Sequence, residues 1–151
     1  MDSMAWLLNF GDGHQAAVGR RELLHLVPQP ILFEVPRAPQ HCSRVVIWQS
    51  RMVPVWDMLA WLSPGSRAVE ASLLAVVGYQ SGRRQTPRFG AVLLTEPPAR
   101  VAVADTDACA LPVDQPAWRR IANSSFCRDD KPIGILDLPL MFSGACAGGV
   151  R

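Results

Sequence analysis

An excess of charge of either sign is nearly missing from this sequence. Its 15 Lys and Arg against 13 Asp and Glu leave a formal net charge of +2 over 151 residues. A nucleic-acid binder usually shows a basic stripe, and none is present. Long hydrophobic runs are also lacking. No stretch approaches the roughly 18 apolar residues that a membrane-spanning helix needs, so insertion into a bilayer is not expected. At the start, Met1-Asp2-Ser3-Met4 carries an acid, and no basic segment precedes a sustained apolar run. That argues against a secretory signal. The four cysteines, Cys42, Cys109, Cys127 and Cys146, lie far apart and form no paired spacing. With no export signal, reduced thiols in a cytoplasm are the expectation.

Reactive constellations are equally scarce. His14 falls at a predicted hairpin, His25 on an apolar segment and His41 in a connector. His41 and Cys42 are adjacent, but adjacent side chains on an extended chain point apart. A zinc site would need two more ligands at short spacing. No Gly-x-Ser-x-Gly turn occurs. Gly11-Asp12-Gly13 is too short to cradle a phosphate and lacks the lysine and hydroxyl that would follow. No cofactor or metal is therefore expected. Asp57 and Asp137 are the most regularly placed carboxylates; helix capping explains both more simply than acid–base catalysis. Arg83, Arg84 and Arg88 form the densest basic group, and without interleaved aromatics they read as a solvated loop.

What the chain does have is core material and punctuation. Apolar residues make up 49%, while 13 prolines and 11 glycines are scattered rather than clustered. Such spacing predicts many short elements separated by turns, as in β-rich folds. Strands are expected over Ala5 to Phe10 and His14 to Gly19, joined at Gly11-Asp12-Gly13 by a turn needing positive φ. Arg20 to Val27 is mixed, and Phe33 to Pro39 reads as an extended connector because its prolines cannot pair continuously. Arg44 to Trp48 and Met52 to Trp56 form a hairpin around Gln49-Ser50-Arg51. Asp57 caps a short helix, Met58 to Leu62. Ser63-Pro64-Gly65-Ser66 is the candidate boundary between two lobes.

In the second half a short helical or irregular piece precedes a strand from Leu73 to Gln80. A basic turn, Ser81 to Pro87, leads to the strand Arg88 to Leu94. Arg100 to Ala104 follows, with Ala110 to Val113 as a continuation. Trp118 to Ala122 reads as a helical turn and Cys127 to Lys131 as a polar loop. Ile133 to Leu136 is the final strand, followed by Asp137 and a short helix, Leu138 to Phe142; residues 143–151 read as a tail. One internal echo stands out. Val53-Pro54-Val55-Trp56-Asp57-Met58 matches Ile133-Gly134-Ile135-Leu136-Asp137-Leu138 in type at five of six places. Each is a buried strand ending in an aspartate able to cap an apolar turn, which suggests two related lobes. Trp48, Trp56 and Trp61 fall within fourteen residues. Core packing accounts for two, leaving a third for an exposed patch, where tryptophan is a favoured interface anchor.

In this order of segments the chain resembles the CheW-like domain of chemotaxis and twitching-motility adaptors. The features are an N-terminal strand pair, a Val-Pro connector, the hairpin ending in Val53-Pro54-Val55-Trp56-Asp57, and a closing strand with Leu136-Asp137-Leu138. The likeness covers residues 5–142 as one domain, with approximate lobes 5–66 and 67–142 and strand exchange between them left open. It implies a mainly β fold of two five-stranded barrels packed side by side with a few short helices. It further implies a non-catalytic cytoplasmic adaptor with a hydrophobic seam that receives the tip of a methyl-accepting chemoreceptor. Another surface would dock the regulatory domain of a CheA-type histidine kinase; neither nucleic acid nor membrane insertion enters. The partner-binding residues implied are Trp48, Gln49, Ser50, Arg51, Val92, Leu94 and Glu96. The chain departs from the family at the hairpin turn, where Trp48, Gln49 and Ser50 replace an apolar residue, an arginine and a glycine. The aspartate expected within Gly90 to Glu96 is also absent. Such departures suit a divergent member, as in a pilus-linked pathway. Two rival readings are a stand-alone ligand-sensing or interaction barrel without kinase coupling, and an enzyme centred on Asp57 or Asp137.

Overall fold

The computed structural model describes residues 3–65, 72–80, 82–111 and 116–142. The first hairpin pairs β1 (Ser3–Gly11) with β2 (His14–Gly19). Gly11, Asp12 and Gly13 adopt φ of 98°, 53° and 78°, the left-handed turn expected of that tripeptide. Then come β3 (Leu23–Pro28), the two-residue β4 (Phe33–Glu34), β5 (Arg44–Trp48), β6 (Arg51–Trp56) and the helix α1 (Met58–Leu62). The second half supplies β7 (Leu73–Tyr79), β8 (Arg88–Leu94), β9 (Ala99–Val103), β10 (Ala108–Cys109) and α2 (Pro116–Arg119). It closes with β11 (Ala122–Arg128), β12 (Lys131–Leu136) and α3 (Leu138–Leu140). Residues 66–71, where a helical or irregular piece was expected, and the tail 143–151 lie outside the described residues.

The strands form two six-stranded sheets with the same plan. One runs β4-β5-β6-β8-β7-β3, the other β10-β11-β12-β2-β1-β9. In each, a four-strand segment receives a hairpin from the other half of the chain. The junction is a parallel pairing: Val55 with Ala91 between β6 and β8, Ile135 with Ala17 between β12 and β2. The sequence thus reads twice as hairpin plus four strands, and the two copies trade hairpins. Two of the exchanged strands, β7 and β8, are apolar on both faces. Leu74 and Val76 of β7 pack inside their own sheet, while Ala75 and Val77 face the other. β8 behaves alike, with Ala91 and Leu93 on one side and Val92 and Leu94 on the other. Burial on both faces explains the unbroken apolar runs there, because alternation marks only half-buried strands.

Three apolar clusters result. Val46, Val53, Val55, Leu74, Val76, Ala91 and Leu93 fill the first sheet's concavity. Leu7, Ala17, Val101, Phe126 and Ile133 fill the second. The largest lies between the sheets, where Leu8, Phe10, Val18, Trp56, Leu94, Trp118, Leu138 and Phe142 meet.

Several expectations are corrected. The sheets have six strands rather than five because the edge dipeptides β4 and β10 join them. Phe33 and Glu34 pair with Val45 and Arg44 inside what read as a connector, and Pro36 and Pro39 fall just beyond. The continuation expected at Ala110 is displaced to Ala108–Cys109, with 112–115 outside the described residues. Helix α2 starts at Pro116, so Ala122 belongs to β11. Cys127 and Arg128 close that strand rather than opening a loop, and the turn is only Asp129-Asp130, with φ of 50° and 62°. Polar Asn123-Ser124-Ser125 hid β11, whose pairing comes from β12 rather than from its own propensity.

Candidate interaction surface

The hairpin β5–β6 turns at Gln49 and Ser50, with φ of 47° and 62°. Both sit in the left-handed region that glycine and asparagine prefer, so the hydrogen-bonded ladder must hold them there. Trp48 pairs with Arg51 across the turn. The Trp48 ring packs 5.3 Å from that of Phe89, and the Arg51 guanidinium lies 4.7 Å over the Phe89 ring. Trp48 is only partly buried, while Gln49, Ser50 and Arg51 are exposed. Four of the residues implied by the family likeness therefore share one corner. Glu96 is also exposed, just past β8, whereas Val92 and Leu94 are fully buried between the sheets. The structure does not bring those two onto a surface with the turn.

Next to the turn lies a feature that the sequence reading missed. Pairing places Ile47 opposite Met52, and Phe33 opposite Val45, two residues from Ile47. Phe33, Ile47 and Met52 consequently share the outer face of β4–β5–β6, because strand side chains alternate. They are 52%, 54% and 71% exposed, and Ile31 beside them is 75% exposed. A shallow cleft of about 390 Å³ runs between Val27, Pro30, Ile31, Phe33 and Ile47. Apolar residues gathered on one face, unlike scattered ones, mark a contact surface. The available signal was phase: in Val45-Val46-Ile47 one residue must point away from the core.

The aspartates are structural. Asp57 Oδ1 accepts the Ala60 N–H at 3.2 Å, and Oδ2 pairs with Arg44 at 3.3 Å. Asp137 Oδ1 accepts the Leu140 N–H at 3.2 Å, and Oδ2 accepts from Asn123 Nδ2 at 3.3 Å. The histidines do not converge: His25 lies near Trp48, and His41 sits 4.7 Å from both Trp56 and Trp61. Trp56 is fully buried, and its indole N–H has no hydrogen-bond partner. Burial raises the Glu22 carboxyl above its ordinary 4.5, against a hydrogen bond from the Gly19 N–H. Burial likewise raises the Tyr79 phenol, with Arg88 opposing. Among the described residues, no three His, Cys, Asp or Glu gather as metal ligands, and no helix is long and apolar enough to cross a membrane. Cys109 and Cys127 are free thiols, but Cys42 is disulfide-bonded, a correction to the expectation of reduced cysteines.

No protein-family model matches the sequence, and no curated protein sequence matches it at a significant level. Among solved structures the chain is similar to the scaffolding protein TtCheW from Thermoanaerobacter tengcongensis. The TM-score is 0.73 over 93% of this chain and 92% of that one, at 13% sequence identity. Near-complete coverage in both directions, on the paired six-stranded plan described above, shows that this chain has a CheW-like fold.

Proposed function

We propose that this protein is a non-catalytic adaptor that couples chemoreceptor-like proteins to a CheA-type histidine kinase in a cytoplasmic chemosensory pathway. The fold likeness to a scaffolding protein supports this class of role. The single observation that carries it is the exposed apolar strip Ile31, Phe33, Ile47 and Met52, beside the Trp48–Arg51 corner. The strip supplies apolar area, and Trp48 and Arg51, which point to the other side of the same hairpin, are of the residue types that dominate binding energy at protein interfaces. Catalysis has no comparable support, since both aspartates are engaged as helix caps. The altered turn and the missing family aspartate fit a divergent adaptor, such as one serving pilus-driven movement.

Titration calorimetry against the kinase regulatory domain and the receptor tip from the same genome tests the proposal. At least one should bind, and Ile47→Arg or Met52→Arg should abolish that binding without changing the circular dichroism spectrum. If neither partner binds the unaltered protein, the adaptor reading falls. A metabolite that raises the melting temperature without either partner would favour a sensing barrel instead.

A further inference from the structure

Two free thiols stand on the same face of the β10–β11 edge. Cys109 is opposite Ser125 in the register, and Cys127 follows Ser125 by two residues, so all three side chains project to one side. Cys109 Sγ lies 3.8 Å from Ser125 Oγ, whose hydroxyl donates to the Cys109 carbonyl at 2.7 Å. That bond fixes the edge dipeptide against β11. Across the diagonal, Cys127 is the same-face neighbour of Cys109 on the adjoining strand. Cys127 is exposed and Cys109 half-buried, so filling the core does not explain the pair. Asp107 and Asp130 are close enough to act on Cys127 electrostatically, and they place negative charge beside the two sulfurs.

From this arrangement we propose that Cys109 and Cys127 form a two-sulfur site for a soft, thiophilic cation of low coordination number, of the copper(I) class. Diagonal strand neighbours have their Cβ atoms farther apart than a disulfide needs, so an ion between the sulfurs suits the pair better than a direct S–S bond. Thiolates select soft metals. The two carboxylates attract a cation and repel anionic thiols or peroxides. Among the described residues no third His, Cys, Asp or Glu joins the two sulfurs, which suits an ion that accepts two donors. On binding, each thiol releases its proton to solvent and each sulfur donates one lone pair to the ion; nothing is oxidised.

Silver(I), an air-stable monovalent ion of the same softness, is the probe. Titration of the intact protein, followed by native mass spectrometry and thiol-alkylation mapping, should give one ion per chain that protects Cys109 and Cys127 together. Cys127→Ser and Cys109→Ser should each weaken binding by about 100-fold or more, since holding two donors together raises effective concentration by that order. Cys127 is exposed, so its replacement leaves the fold intact and keeps the comparison valid. Two ions per chain, one on each thiol, or unchanged affinity in either variant would overturn the site.

Discussion

The two copies of the six-strand plan are alike inside and different outside. By register, Val46 opposite Val53 corresponds to Phe126 opposite Ile133, and both pairs fill the interior of their sheet. The turns correspond as well: Gln49-Ser50 in one copy and Asp129-Asp130 in the other all take positive φ. Even the entry to each cap is repeated, with Asp57 N donating to His41 O and Asp137 N to Ile121 O, both at 2.8 Å. On the outer face the equivalence ends. Phe33 and Ile47 of the first copy occupy the positions held by Cys109 and Cys127 in the second. One scaffold thus presents an oily strip on one flank and a dithiol on the other. Interior packing preserves the architecture, while outward positions are free to diverge, because only the latter escape the cost of repacking a dense core.

Removing the largest side chain at the junction should expose the first asymmetry. Trp56 meets His41, Trp61 and Phe142, and its counterpart Leu136 offers less area. Trp56→Ala should cost about 3–5 kcal/mol in urea denaturation, and Leu136→Ala less, within about 2–5 kcal/mol. Equal losses would mean that the junction does not lean on Trp56.

Gly90 offers the next contrast, since its counterpart in β2 is Ala16. A Cβ on Gly90 would run into the ring of Phe142, closer than real Cβ contacts come. Gly90→Ala should therefore cost about 1–3 kcal/mol through overpacking. Adding Phe142→Leu should recover part of that loss in a double-mutant cycle, a coupling expected only of residues in contact.

The caps should separate least. Asp57→Ala and Asp137→Ala should each cost about 1 kcal/mol in thermal or urea unfolding. At low salt, Asp57→Ala should lose a further few tenths of about a kcal/mol from the Arg44 pair, a difference that added salt erases.

Much of this plan was legible in the sequence because local chemistry dictated it. Gly11-Asp12-Gly13 specified a turn, Asp57 and Asp137 specified caps, and strands β2, β5 and β8 have the predicted limits. The echo between Val53–Met58 and Ile133–Leu138 marked equivalent strand–cap units, each with a parallel neighbour from the other half. What stayed hidden depends on distant partners. β4 and β10 are dipeptides held by their neighbours, and Asn123-Ser124-Ser125 is drawn into β11 by β12. The surface strip was missed for a related reason. Ile47 and Met52 are apolar residues that point outward, and hydrophobicity alone assigns such residues to the core. Val92 and Leu94 show the opposite: the family likeness put them at an interface, and burial on both faces of β8 encloses them.

Trading hairpins also has a consequence for synthesis. β1 and β2 precede the other described strands along the chain, yet their sheet partners are β9 and β12, and β12 is the last of the described strands to be synthesised. Leu8, Phe10 and Val18 must therefore wait for strands made more than 80 residues later. A chain cut near residue 66 would yield two fragments, each holding a hairpin that belongs to the other. They should assemble only when mixed, as halves of one object rather than as neighbours.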